Sequence, residues 1–177
     1  MKCLILKGFV CENMFREVSR NKKQILSDDR AEAILKNCTS GVLALLGDDD
    51  YAYGVPMSYC YNDGKLYFHS MKKGHKIDAI KKHNKVSFTV IETDHIVPEE
   101  FTTYFRSVIA FGKIYLIEDI EQKREALNLL VGKYSPDYKN ESKSEIEKSM
   151  NEVQIIALDI EHISGKEAIE FAEGEIV

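Results

Sequence analysis

The chain has 177 residues, 44% of them hydrophobic, with 24 Lys and Arg against 29 Asp and Glu, a net charge of −5 and a pI near 5.6. This is the size of one domain with a substantial core, and the acidic balance excludes a broad electrostatic face for nucleic acid. Cys3, Cys11, Cys38 and Cys60 form neither CxxC nor another metal-ligand spacing and read as reduced thiols of a cytoplasmic protein.

The stretch Met1 to Val10 is apolar but interrupted by Lys7, too short to span a membrane, and no small-residue cleavage site follows it. Residues 1–13 read as an extension or a misassigned start, and 14–177 as one domain. Ser27-Asp28-Asp29 precedes Ala31, Ile34, Leu35 and Cys38, an N-cap followed by one apolar stripe, which predicts a short helix. Gly41 to Leu46 is an apolar run stopped by Gly47-Asp48-Asp49-Asp50. Tyr51 to Tyr61 alternates with period two until Asn62-Asp63-Gly64 turns the chain. Strands are then predicted over Lys65 to Ser70, Lys85 to Glu92, Thr103 to Glu118 and Val153 to Glu161. Helical spacing of Leu127, Leu130, Val131 and Tyr134 predicts a helix from about Ile120 to Tyr134. Lys139 to Asn151 reads as a polar surface helix or loop. Six or so strands in hairpin order with inserted helices predict a mainly β fold with peripheral α, an antiparallel sheet curling into a barrel.

Charge is unevenly spread. Met71 to Lys85 carries six lysines (72, 73, 76, 81, 82, 85) against Asp78 alone. The segment runs from a strand through a short loop into a helix start, where unpaired N–H groups and the helix dipole favour an anion, with His75 and Lys76 in the first turn. A solvated lysine face explains the run equally well. In the strand before it, His69 and Ser70 are polar groups delivered at a strand end. In Tyr51 to Tyr61, one face is Tyr53, Val55, Met57, Tyr59 and Tyr61, and the other is the small set Ala52, Gly54, Pro56, Ser58 and Cys60. Small side chains leave backbone polar groups open to a flat heteroaromatic ligand, or accommodate a covering helix. Pro56 cannot donate to a ladder, so its position is predicted to be an edge, a bulge or a place where something other than a strand approaches. No metal spacing, Rossmann, P-loop or serine-hydrolase signature is present.

The strings Tyr53-Gly54-Val55-Pro56-Met57-Ser58-Tyr59, Leu66-Tyr67-Phe68-His69-Ser70, Gly74-His75-Lys76, Arg106-Ser107-Val108-Ile109-Ala110-Phe111-Gly112 and Ser164-Gly165-Lys166-Glu167 resemble, in order, the 5-nitroimidazole resistance (Nim) proteins of the pyridoxamine 5′-phosphate oxidase-like flavin-binding split barrels. The resemblance runs from Met14 to about Phe171. It implies a split β-barrel homodimer with a flavin, FMN or FAD, in a groove between subunits. On that resemblance the ring packs near Val55, Pro56, Met57 and Ser58, with Phe68 and His69 beside it. Ser70, Gly74, His75 and Lys76 hold the phosphate, and Thr102, Thr103 and Lys166 are further cofactor contacts. His69 is the leading catalytic side chain. The implied activity is flavin-dependent reduction of a nitroaromatic or another small electron-poor acceptor. A flavin-binding redox sensor or carrier is the alternative, and other split barrels take haem or a deazaflavin. The arginine phosphate clamp of pyridoxamine-phosphate oxidases has no counterpart here.

Overall fold

The structure, a computed structural model, describes residues 15, 16 and 21–174, and of residues 139–141 the backbone only. The extension expected over 1–13 lies outside the described residues. Seven antiparallel strands form one sheet: β1 (Ser40–Leu46), β2 (Ala52–Ser58), β3 (Cys60–Asn62), β4 (Lys65–Met71), β5 (Lys85–Val97), β6 (Thr102–Ile117) and β7 (Val153–Glu167), in the order β2-β1-β5-β6-β7-β4-β3. Five α-helices accompany it among the described residues: α1 (Asp28–Asn37), α2 (His75–Lys82), α3 (Ile120–Tyr134), α4 (Lys139–Ser149) and α5 (Ile169–Ala172).

The strand order dictates the shape. β2 and β3 lie on opposite edges of the sheet, yet only Tyr59 separates them in the chain. The sheet must therefore curl until its edges come together, and no ladder joins those edges: it is a split barrel. The six predicted strands become seven because the run from Tyr51 to Tyr61 breaks at this seam. Alternation holds as far as Ser58, and then Tyr59 and Cys60 are both buried. Tyr59 N–H donates to the Tyr134 hydroxyl at 2.9 Å instead of to a neighbouring strand.

Local signals elsewhere act as read. Ser27 caps α1 by accepting from Arg30 N–H, and Asp119 caps α3 by accepting from Gln122 N–H. Asp63 and Gly64 both have positive φ, +48° and +73°, as a tight hairpin between β3 and β4 requires. Pro56 sits on the edge strand β2, opposite Val42. β5 and β7 run on beyond Glu92 and Glu161, where register shifts leave one residue unpaired, so the period-two signal stops at each bulge while the strand continues.

Leu43, Leu66, Phe68, Phe88, Val90, Val108, Ile114, Ile156 and Leu158 fill the barrel, covered by Ile34 and Leu35 of α1 and Ile77 and Ile80 of α2. Phe88 packs edge-on to Tyr59 and Phe68, with ring centroids 4.8 and 5.1 Å away. A smaller cluster beneath α3 and α4 gathers Ile117, Leu127, Ile146, Met150 and Ile155.

Candidate functional site

A cleft of about 470 Å³ opens where β4 ends and α2 begins, lined by Tyr53, His69, Ser70, Met71, Lys73, Gly74, His75, Lys76 and Val153. Five of the predicted residues, His69, Ser70, Gly74, His75 and Lys76, therefore meet in one place. β4 puts Leu66 and Phe68 inward, so Lys65, Tyr67 and His69 point outward and His69 is exposed at the strand end. Gly74 then turns the chain with φ +123°, a value that side chains rarely allow, and its carbonyl accepts from Ile77 and Asp78 N–H at 2.9 and 3.1 Å. This leaves the N–H groups of His75 and Lys76 without intrahelical acceptors, at the positive end of α2.

Side chains extend the positive character. Lys76 is half-buried, burial pushes its ammonium pKa down from the ordinary lysine value, and no carboxylate pairs with it among the described residues. The His75 ring stacks on Tyr53 with centroids 4.1 Å apart and planes 13° apart. Its Nε2 lies 3.5 Å from Asp48, whose other carboxylate oxygen accepts from Lys82 at 2.8 Å. Asp48 thus ties the loop after β1 to both ends of α2 and fixes the rim of the cleft. An unneutralised lysine beside open first-turn N–H groups makes the potential here favourable to an anion.

The remaining predicted contacts lie elsewhere. Phe68 is fully buried and Met57 nearly so, both in the core, so only their backbones are available to a ligand. Ala52, Gly54, Pro56 and Ser58 form an exposed small-residue face on the edge strand, with Val55 half-buried on the other side. Thr102 and Thr103 start β6, paired with Val97 and Ile96, and Lys166 lies opposite Ser107 with its ammonium 5.5 Å from the Phe105 ring. None of these three lines the cleft. Tyr53, Lys73 and Asp48 were missed from the sequence. Tyr53 is legible there as part of the bulky face and of the first resembling string, with no site role attached, and Lys73 is indistinguishable from the solvated lysines around it.

A curled antiparallel sheet whose edge strands meet without a ladder defines a split-barrel protein of the pyridoxamine-phosphate-oxidase type. The chain belongs to the pyridoxamine 5′-phosphate oxidase family, which it matches over residues 27–167. Among solved structures it is similar to a candidate 5-nitroimidazole antibiotic resistance protein from Bacteroides thetaiotaomicron, 25% identical over 80% of this chain and 85% of that one, with a TM-score of 0.68. It is also similar to an FAD-binding protein from Mesorhizobium loti, 26% identical over 82% of this chain and 97% of that one, with a TM-score of 0.57. An FAD and heme binding protein from Mycobacterium smegmatis shares the fold at 21% identity, covering 83% of this chain and 74% of that one, with a TM-score of 0.72. No curated protein matches the chain. No helix among the described residues is long and apolar enough to cross a membrane.

Proposed function

We propose that the chain binds a flavin, with its phosphate at His75 and Lys76, and serves as a flavin-dependent reductase of small electron-poor acceptors of the nitroaromatic kind. The observation that carries this reading is Lys76: a half-buried cation without a carboxylate partner, beside the open first turn of α2. The fit extends to the exposed small-residue face of β2, where backbone groups stay accessible to a flat ring. Similarity to an FAD-binding protein and to a nitroimidazole-resistance candidate points the same way.

A bound flavin supplies the redox chemistry, and the protein contributes binding, orientation and proton handling. His75, Lys76 and the free N–H groups hold the phosphate, which anchors the ligand at the end of β4. His69 exposes an imidazole in the same cleft and is placed to hold or release a proton as an acceptor is reduced. We further propose a homodimer. The outward row Pro56, Val42, Thr89, Ile109 and Ser164 crosses five strands without a charge, and Val42 within it is an exposed large apolar side chain. The unpaired thiols Cys38 and Cys60 support a cytoplasmic setting.

Purified protein is expected to show a visible flavin spectrum or to gain one with added FMN or FAD, and mass spectrometry of the released cofactor separates the two. A colourless protein that binds neither overturns the reading. Reduced holoprotein should be reoxidised anaerobically faster by a 5-nitroimidazole than by buffer. Equal rates would assign the protein to the sensor or carrier class instead.

A further inference from the structure

A separate cavity of about 460 Å³ lies between α3 and the outer face of the sheet, and it shares no lining residue with the His69 cleft. Strand register builds its sheet side. Tyr67 of β4 and Tyr115 of β6 both pair with Ala157 of β7, one from each side, so the two tyrosines stand on one face about 10 Å apart at the backbone. Ala157 and, on the helix, Ala126 belong to one buried cluster, and their methyl groups cannot fill the space that the tyrosines border. α3 turns Gln122, Glu125, Ala126 and Leu129 toward this space, a stripe at i, i+3, i+4 and i+7 beside the one that enters the core at Leu127 and Leu130.

The charges around the cavity do not balance. Of its two charged lining residues, Lys65 is paired: its Nζ lies 2.5 Å from Asp159 Oδ1, and the Tyr115 hydroxyl donates to the same oxygen at 3.2 Å. That cluster is neutral and fixes the Tyr115 ring. Glu125 has no basic partner among the described residues, because the cations next to it on α3 are held elsewhere, Lys123 by Glu118 and Arg124 by Glu121 and Glu147. The Tyr67 hydroxyl likewise has no hydrogen-bond partner among the described residues, although its residue is half-buried. An unmatched carboxylate between two aromatic rings selects one kind of ligand. The ring faces attract positive charge and cover apolar surface, an anion would be repelled by Glu125, and a neutral molecule would leave that carboxylate unpaired.

We propose that this cavity binds a small organic cation of the arylalkylamine class, with the ammonium donating to Glu125, the aryl body between Tyr67 and Tyr115, and the Tyr67 hydroxyl and Gln122 side-chain carbonyl accepting its remaining N–H groups. The volume is within the range of small-molecule sites. All the residues come from one chain, and none belongs to the cleft assigned to the flavin, so the two readings stand or fall separately.

Benzylamine is the probe, with benzyl alcohol as its neutral counterpart and benzoate as its anionic one. In amide-resolved NMR of the full chain, benzylamine should shift the backbone N–H signals of Tyr67, Tyr115 and Ala126 at concentrations where the other two do not. No shift at these residues, or equal shifts with benzyl alcohol, overturns the proposal. Glu125 is exposed, so Glu125→Gln leaves the core intact, and it should weaken benzylamine binding by about tenfold or more while the melting temperature holds. Tyr67→Leu, which removes a ring face and the hydroxyl, should weaken it by about fivefold or more. Unchanged affinity in Glu125→Gln would show that the carboxylate recognises nothing here and overturns the site. FMN binding is expected to be the same in both variants as in the unmutated protein, and its absence from all three would count against the flavin reading alone.

Discussion

The Tyr134 hydroxyl accepts the N–H of Tyr59 at 2.9 Å and lies 2.7 Å from the carbonyl of the same residue, so one side chain of α3 stands in for the strand that Tyr59 lacks. Its single proton is shared between that carbonyl and Thr39 C=O, 2.5 Å away. The three backbone groups belong to the two sides of the barrel seam. Tyr134→Phe removes the acceptor for a buried N–H and the donor for two carbonyls, and is expected to cost about 1–3 kcal/mol in chemical denaturation. An unchanged midpoint would show that the seam is held by apolar packing alone.

The Tyr59 ring itself makes the opposite case. Its residue is fully buried, its hydroxyl has no hydrogen-bond partner among the described residues, and burial drives its pKa well above the ordinary tyrosine value. The ring packs on Phe88 and receives the Lys133 ammonium 4.2 Å from its centroid. Tyr59→Phe keeps both contacts and discards an unsatisfied polar atom, so stability should hold or rise by up to about 1 kcal/mol. A loss of that size would reveal a partner for the hydroxyl in solution.

These two tyrosines show where sequence reading stops. Helices α1 and α3 were legible because their caps, Ser27 and Asp119, and their apolar stripes are local. The Asn62-Asp63-Gly64 turn and the edge position of Pro56 were legible for the same reason, since each follows from the backbone freedom of one or two residues. The break at Tyr59 was not, because it is decided by a hydroxyl 75 residues later in the chain. The basic half of the candidate site was readable as a charge run at a helix start, and His69 as a polar residue at a strand end. Phe68 entered with its neighbours although the alternation Leu66, Phe68 against Lys65, Tyr67, His69 already pointed it inward. Asp48 gave no signal at all. Its role depends on a loop folding back onto α2.

Lys76 carries the sharpest prediction for the cleft. It is half-buried and without a carboxylate partner among the described residues, so its charge is opposed by desolvation with no ion pair to offset that cost. Lys76→Met should therefore leave the melting temperature of the flavin-free protein unchanged or higher, while weakening FMN binding by about ten- to hundredfold through loss of a charge-assisted contact. Both readouts come from the same preparation, by thermal melting and by quenching of flavin fluorescence. A variant that melts earlier and binds normally would make Lys76 a structural residue.

Asp48 predicts a pH dependence of known sign. The hydrogen bond and charge of Lys82, and then the charge of His75, hold its carboxyl below the ordinary aspartate value. Since the folded protein prefers the ionised form more strongly than the unfolded chain does, the tie contributes stability that is fully present above the unfolded pKa, about 4. That contribution is lost as the pH falls through the lower, folded value. Asp48→Asn should accordingly melt below the unmutated protein at pH 7, with the gap narrowing below about pH 4 and closing once Asp48 is protonated in the folded as well as the unfolded state. The same loss frees His75 from the loop after β1, so FMN binding at pH 7 should weaken along with it. A melting gap that is constant from pH 7 to pH 3 would mean that Asp48 acts through packing of the loop and not through its charge.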